Sequence, residues 1–290
     1  MNTKFNNPSR EQLIDVFEDI QKWCQTDETL KDAIQNSINN NKIYTETDYP
    51  AIEKTHSEDI IISVNKYRTF ETAQHYKRKF PELKIAALNF ASATNVGGGV
   101  TKGSKAQEES LCRCSTLYPV LNTDVNHKSF YEYHRNRHDS RYTDRCIYSP
   151  DVVIIKSDED IPTRLPSDKW TKVDILTCAA PNLRPIPNNF MNPGKDKAVS
   201  VSDEELFKIH VNRGKHILTI AAHHKADILI LGAFGAGAFM NNPYIVAKAY
   251  REILPQFNGY FKEIVFAIYC SPNQSKDNLI AFQKVFNKGK

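Results

Sequence analysis

Apolar positions along this chain change their period near residue 60. Before that point they recur at helical spacing. Arg10-Glu-Gln-Leu-Ile-Asp-Val-Phe17 sets them three and four apart, and Ser9 is a good N-cap, so two short helices are expected over residues 9–38. Residues 39–58 are polar, rich in Asn and Thr, and carry Pro50; they read as a connection. Beyond them, strand-length apolar runs alternate with helical patterns. Strands are expected at 60–64, 84–90, 152–155, 173–177, 227–231 and 263–269. Helices are expected at 69–79, from near Ser104, and at 203–224, 243–254 and 276–286. In the helix after Pro243, Val246, Ala249, Tyr250 and Ile253 mark the buried face. Polar residues 120–147 and Pro/Asn/Lys-rich residues 184–202 read as loops. Near-continuous apolar strands between helices imply an α/β fold whose sheet is covered on both faces. The expected division is a helical segment over 1–58 and a main domain over 59–290.

Composition narrows the class without naming a function. With 290 residues, 40% hydrophobic and 25% charged, the chain is an ordinary globular protein with room for one large domain. A net charge of +4 is too weak and too scattered to nominate nucleic acid as a partner. No apolar run approaches the roughly 20 residues of a membrane helix. The first residues contain no apolar segment of the secretory type, so the expected location is cytoplasmic. Six dispersed cysteines read as free thiols in a reducing compartment; Cys112-Arg-Cys114 has no matching second pair for a zinc site.

The chemistry concentrates in two small-residue loops. Asn95-Val-Gly-Gly-Gly99 follows the apolar run Ile85-Ala-Ala-Leu-Asn-Phe90 and precedes Gln107-Glu-Glu109. Without a Cβ, Gly97, Gly98 and Gly99 let backbone approach a ligand, and Gln107, Glu108 and Glu109 place an amide and two carboxylates at the far edge. That combination suits a sugar carrying phosphates. Ser104 with Gln107 matches a capping box, which sets Glu108 and Glu109 in a first helical turn about 100° apart around the axis. Two acids there also read as plain complementation of the helix dipole.

The second loop is Leu231-Gly-Ala-Phe-Gly-Ala-Gly-Ala-Phe239, followed by Asn242 as an N-cap and Pro243 at the first helical position. Free N–H groups and the positive end of a helix suit a diphosphate, although the loop also reads as a tight turn without a ligand. It is not a Walker loop, because no Gly-Lys-Ser/Thr follows. Phe239 reads as a ring for a ribose or base, or as core. His127, His134 and His138, with His223 and His224, read as solvated rather than metal-binding, and Cys178 as a small buried residue.

The segments Leu88-Asn-Phe-Ala-Ser-Ala-Thr-Asn-Val-Gly-Gly-Gly99, Ala106-Gln-Glu-Glu109 and Leu111-Cys-Arg-Cys-Ser-Thr-Leu-Tyr118 resemble the signature of the bacterial (microbial-type) poly(ADP-ribose) glycohydrolases. Tyr148-Ser-Pro-Asp151, Asp174-Ile-Leu-Thr-Cys-Ala-Ala-Pro-Asn182 and Gly232-Ala-Phe-Gly-Ala-Gly-Ala-Phe239 continue the resemblance in order, from about residue 60 to the C-terminus. Val96 departs from the proline usual before the glycines, and Ala236 from a frequent cysteine.

The resemblance implies a three-layer α/β/α macrodomain with a mixed sheet and an N-terminal helical accessory segment. It implies ADP-ribose in a cleft at the strand ends. Glu109 corresponds to the catalytic acid and Glu108 to a neighbour holding a ribose hydroxyl. Asn95, Gly97, Gly98 and Gly99 correspond to contacts with the distal ribose and diphosphate. Gly235, Ala236, Gly237 and Ala238 correspond to the diphosphate loop, and Phe239 to the ring that orients the ribose. Gln107 falls with the binding residues. The implied substrate is poly(ADP-ribose) or an ADP-ribosylated protein, the product ADP-ribose, with no cofactor and no metal. A helix N-terminus depresses a carboxylate pKa, whereas a general acid needs it raised, so the protonated acid is expected mainly in the substrate complex. Two alternatives share the same loops: a macrodomain that reads ADP-ribose without cleaving it, and a hydrolase of mono-ADP-ribosyl linkages.

Overall fold

The computed structural model describes residues 7–190, 193–271 and 275–287. The expected loop over 184–202 therefore lies partly outside the described residues. The chain opens with α1 (Arg10–Thr26), α2 (Glu28–Asn39), β1 (Lys42–Tyr44), β2 (Ile61–Asn65), α3 (Thr69–Lys79) and β3 (Ile85–Phe90). Next come α4 (Gln107–Cys114), α5 (Leu117–Leu121), α6 (Asp124–Asn126), a π-helical turn (His127–Glu132) and α7 (Tyr133–Arg137). The remainder is β4 (Cys146–Ile154), β5 (Thr171–Cys178), α8 (Asp203–His223), β6 (Ile228–Leu231), α9 (Pro243–Ile253), β7 (Glu263–Ala267) and α10 (Asp277–Phe286).

Among the described residues the strands form one mixed sheet in the order β1-β4-β5-β3-β6-β7-β2. β4 pairs antiparallel with β1 and β5, and every other pairing is parallel. The carboxyl ends of β5, β3, β6, β7 and β2 thus lie along one edge. Alternation along β3 feeds both faces. Ala86 and Leu88 pack with Ile217, Val246, Tyr250 and Phe282 of α8, α9 and α10. Ile85 and Ala87 pack with Phe17, Leu30, Phe70 and Leu111 of α1 to α4. This is the three-layer arrangement implied by the resemblance.

α1 begins where expected: the Ser9 side chain accepts from Gln12 N, and Gln12 Oε1 accepts from Ser9 N. Its buried stripe, Leu13, Phe17, Ile20 and Cys24, joins the same core as the sheet. Buried Lys156 donates to Val16 O at 2.9 Å and pairs with Asp19 at 2.7 Å.

Two stretches differ from expectation. Within 39–58, Lys42-Ile-Tyr44 forms an edge strand on Cys146–Tyr148, because Tyr44 is buried beneath it. Residues 120–137 are largely helical rather than a loop; Val120, Leu121, Phe130, Tyr131 and His134 are all buried. His134 is consequently not solvated: it bonds Phe130 O and Thr143 Oγ1, and burial pushes its pKa down to about 3. Cys178 is a buried apolar-like residue, and all six cysteines are unpaired. Among the described residues no helix is long and apolar enough to cross a membrane, and no three His, Cys, Asp or Glu side chains are grouped to hold a metal.

Candidate active site

A cavity of about 600 Å³ opens at the carboxyl ends of β3 and β6, the position where ligands bind in open α/β sheets. Gly98, Gly99, Gln107, Glu108 and Glu109 line one wall, and Gly235, Gly237, Ala238 and Phe239 line another. The two loops singled out from sequence therefore face one space. Asn95, Gly97 and Ala236 stand outside that lining. Asn95 Nδ2 donates to Thr94 Oγ1 and Pro193 O, and Ala236 packs against the core.

The start of α4 departs from the expected capping box. The helix begins at Gln107 with Ala106 as N-cap, and no side chain caps it. The Gln107 amide is turned to β3 instead. Its Oε1 accepts from Phe90 N at 2.9 Å, while Nε2 donates to Leu88 O at 2.8 Å and Thr69 Oγ1 at 3.1 Å. Gln107 thus extends the β3 ladder and ties α4 to the strand end, a demand stronger than a local cap because β3's last groups are buried.

Both acids are buried. Glu108 accepts from Ser92 N at 2.7 Å and from Asn89 Nδ2 at 3.3 Å. Glu109 Oε1 accepts from Gly99 N at 2.8 Å, and its Oε2 is buried without a hydrogen-bond partner. Burial raises the Glu109 pKa against the Gly99 N–H, and raises that of Glu108 well above the usual range, with the neighbouring Glu109 charge adding to it. In the free protein desolvation thus pushes the Glu109 carboxyl up, against the lowering expected from the helix N-terminus.

The glycines serve the acid as well as the ligand. At Gly98 φ is +63 in its neighbour and +59 in itself, and a Cβ there would stand 2.5 Å from Glu109 Oε1 and 3.1 Å from Glu108 Oε2. At Gly97 a Cβ would meet the Tyr118 ring at 2.8 Å. Tyr118 in turn packs edge-on against Phe17 of α1, ring centres 4.8 Å apart.

The opposite loop is held from below. Asn241 Nδ2 donates to Pro181 O at 2.7 Å, and its Oδ1 meets His210 Nε2 at 2.7 Å. Asn242 caps α9 through Tyr244 N with Pro243 at its start, as the sequence suggests. Phe239 lies between Tyr142 and the Arg184 guanidinium, 6.2 and 5.7 Å from its ring centre.

Several lining residues carry no sequence signal. Arg68, after β2, stacks its guanidinium 3.9 Å from the centre of the Tyr269 ring, after β7, and pairs with Asp160. Asp158 accepts from Phe70 N and Ser110 Oγ. Arg113, one turn beyond Glu109 and outside the lining, is buried with Nη1 unpartnered; its charge opposes the rise in the Glu109 pKa. Only position at strand ends hints at Arg68 and Tyr269, and the i, i+4 relation to Glu109 hints at Arg113.

The chain matches a family model described as the catalytic domain of microbial-type PARG over residues 11–157. That match begins inside α1 and runs past β4. No curated protein matches the chain. Among solved structures it resembles poly(ADP-ribose) glycohydrolase from Thermomonospora curvata, with 27% identity over 96% of this chain and 98% of that one, and a TM-score of 0.78. The same enzyme bound to the inhibitor ADP-HPD gives 28% identity over the same shares and a TM-score of 0.77. Poly(ADP-ribose) glycohydrolase from Deinococcus radiodurans in complex with ADP-ribose gives 29% identity over 89% of this chain and 98% of that one, with a TM-score of 0.73. With the signature residues gathered around one cleft and the family model spanning half its length, this chain belongs to the microbial-type poly(ADP-ribose) glycohydrolase family.

Proposed function

We propose that this protein hydrolyses the ribose–ribose O-glycosidic bonds of poly(ADP-ribose), on its own or attached to protein, and releases ADP-ribose. The observation that carries the reading is the Glu109 carboxyl: buried in the cleft wall, raised in pKa, with one oxygen fixed by Gly99 N–H and the other unengaged. A protein that only reads ADP-ribose has no use for such a group.

The base of the bound unit lies toward Arg68 and Tyr269, where a flat guanidinium and ring offer stacking. The diphosphate follows the loop Gly235 to Ala238 along Gly235, Gly237 and Ala238, which line the cleft, while Ala236 keeps its N–H on Ala233 O. The terminal ribose sits between Phe239 and the glycines Gly98 and Gly99, with Glu108 toward its hydroxyls and Gln107 acting through the end of β3, while Asn95 and Gly97 shape the loop from outside the lining. Glu109 gives its proton to the leaving 2′-oxygen as the C1–O bond breaks, and the electron pair departs with that oxygen. The sugar becomes oxocarbenium-like, and the substrate's own phosphates help stabilise it. The Glu109 carboxylate then takes a proton from water, whose oxygen closes on C1. One acid performs both steps, unlike the spaced carboxylate pair of most glycosidases. A cavity sized for one ADP-ribose unit favours chain ends.

The segment 1–58 serves the catalytic domain 59–290 as a buttress, since α1 backs the glycine loop through Phe17 and Tyr118. Unpaired thiols fit a reducing, cytoplasmic setting. The test is to incubate wild type and Glu109→Gln with poly- and mono-ADP-ribosylated protein and to quantify free ADP-ribose by mass spectrometry. Wild type is expected to release it from polymer and leave the last protein-linked unit, and the variant to bind ADP-ribose with turnover lowered at least about a hundredfold. Release from single units only would move the assignment to a mono-ADP-ribosyl hydrolase.

A further inference from the structure

The loop after β5 turns back across the glycine loop and is tied to it. Lys102 Nζ, three residues past Gly99, donates to Phe190 O at 2.5 Å, and its ammonium lies 4.6 Å from the centre of the Phe190 ring. The loop is braced internally: Arg184 Nη2 donates to Pro187 O at 2.6 Å, and Asn188 Nδ2 donates to Asp196 O at 2.7 Å. Arg184 and Asn189 line the cleft, while the next residue, Phe190, is 75% exposed. A single exposed ring is ordinary. This one differs in being anchored by its own carbonyl to the loop that positions Glu109, with a cation beside it.

Strand order gives the segment from Asn182 to Phe190, called the strap below, a direction. Along the carboxyl edge of the sheet the sequence is β5, β3, β6, β7, β2. The strap follows β5, the glycine loop follows β3, the second loop follows β6, and Tyr269 and Arg68 follow β7 and β2. An ADP-ribose unit with its base at Tyr269 and its terminal ribose at Glu109 has its scissile bond aimed at the strap. Arg184 lines that side of the cleft, and Phe190, next to the lining residue Asn189, stands exposed beside it with Lys102.

Resting on the glycohydrolase reading above, we propose that this strap is the subsite for the leaving chain. The adenine of the adjoining ADP-ribosyl unit stacks on Phe190, and its diphosphate lies against Lys102 and Arg184. A flat base on an exposed ring beside cations is the usual physics of single-stranded nucleotide binding, and it needs no base-specific hydrogen bond. The strap then makes the polymer a better substrate than a single ADP-ribosyl group on a small alcohol, because only the polymer brings a base to Phe190.

The test compares the full chain with Phe190→Ala and Phe190→Tyr on two substrates: poly(ADP-ribose), and ADP-ribose joined at the same carbon to a simple alcohol. The ratio of kcat/KM for polymer to that for the alcohol conjugate is expected to fall about tenfold in Phe190→Ala, the scale of one base–aromatic stack, and to be kept in Phe190→Tyr. A second measurement avoids turnover: in Glu109→Gln, an ADP-ribose dimer should bind tighter than ADP-ribose, and adding Phe190→Ala should erase the difference. An unchanged ratio, or equal dimer and monomer affinity before Phe190 is altered, overturns the subsite while leaving the glycohydrolase reading intact. A wild-type protein that cleaves neither substrate overturns that reading and the subsite with it.

Discussion

The two glycine loops look alike in sequence and face the same cleft, yet their glycines answer to different neighbours. In the loop after β3 the crowded side is the protein. The space a Cβ would need at Gly98 holds the Glu109 carboxylate, at Gly97 the Tyr118 ring, and at Gly103 the backbone oxygen of Arg10. In the loop after β6, Gly235 is crowded by Ala180 and Asn241, but a Cβ on Gly237 would meet nothing within 4 Å. The first loop is small so that the acid can be clamped; the second leaves one of its glycines, Gly237, open to the cleft. A run of glycines beside a cleft is therefore two different statements, separable by what lies behind each Cα.

The largest expected effect follows from the first half of that comparison. Gly98→Ala puts a methyl group 2.5 Å from the oxygen that Gly99 N–H holds, at a φ of +59. The carboxylate cannot yield without losing that hydrogen bond. With Glu109 as the proposed acid, a misplacement of about 1 Å costs on the order of a hundredfold in rate, so kcat should fall by about that factor. ADP-ribose affinity, measured by titration calorimetry, should change far less, since the loop proposed to hold the diphosphate is untouched. Equal losses in kcat and in affinity would show that Gly98 meets the ligand rather than the acid.

Burial of the acids sets the next expectation. The proposed mechanism needs Glu109 protonated, so the rate should fall as pH rises through its raised pKa, later than for an ordinary carboxylate. Stability carries the same sign. Glu108 keeps its proton in the folded state above the ordinary glutamate value of 4.5, whereas the unfolded chain releases it there. Folded protein then binds more protons, and stability is lost as pH rises from that value toward the folded pKa. Glu108→Gln removes this term. Its Tm relative to wild type should therefore climb between pH 5 and pH 8, and any fixed cost of the amide cancels in that difference. A pH-independent difference would mean that Glu108 is charged in the fold.

Gly235→Ala addresses the second loop where it is crowded. At φ +78, with Ala180 Cβ at 2.6 Å and Asn241 at 2.9 Å, the substitution should cost roughly 1–3 kcal/mol of stability by thermal or urea unfolding. Disturbing Asn241 also loosens its bonds to Pro181 O and His210, so ADP-ribose binding should weaken alongside.

Much of this could be read from the chain because the information was local. β3 and β6 are apolar runs of strand length, and the glycines and Gln107-Glu-Glu109 are adjacent in sequence. What was not legible depends on distant neighbours. β1 has three residues, too few for a period, and exists because β4 offers an edge. The helical stretch after Leu121 leaves no helical period in the sequence because the π-helical turn His127–Glu132 breaks the 3.6-residue spacing of its buried positions. Gln107 looked like a cap because Ser104 stands three residues earlier; its amide instead serves Phe90 and Leu88, which only the fold brings near. Arg68 and Tyr269 are 201 positions apart by their numbers and meet because β2 and β7 pair.

The smallest effect tests the open half of the comparison. Gly237→Ala adds a methyl group where no protein atom lies within 4 Å, at a position whose φ is not left-handed. Folding should be almost indifferent, and exchanging Gly for Ala at a compatible position can even stabilise by about 0.4–1 kcal/mol through the unfolded chain. Any loss must come from the ligand side. If the diphosphate closes on this loop, the methyl group stands between backbone N–H and phosphate, and KM should rise while kcat is kept. A change in Tm without a change in KM would place the ligand elsewhere and make this glycine, like Gly98, a matter of internal packing.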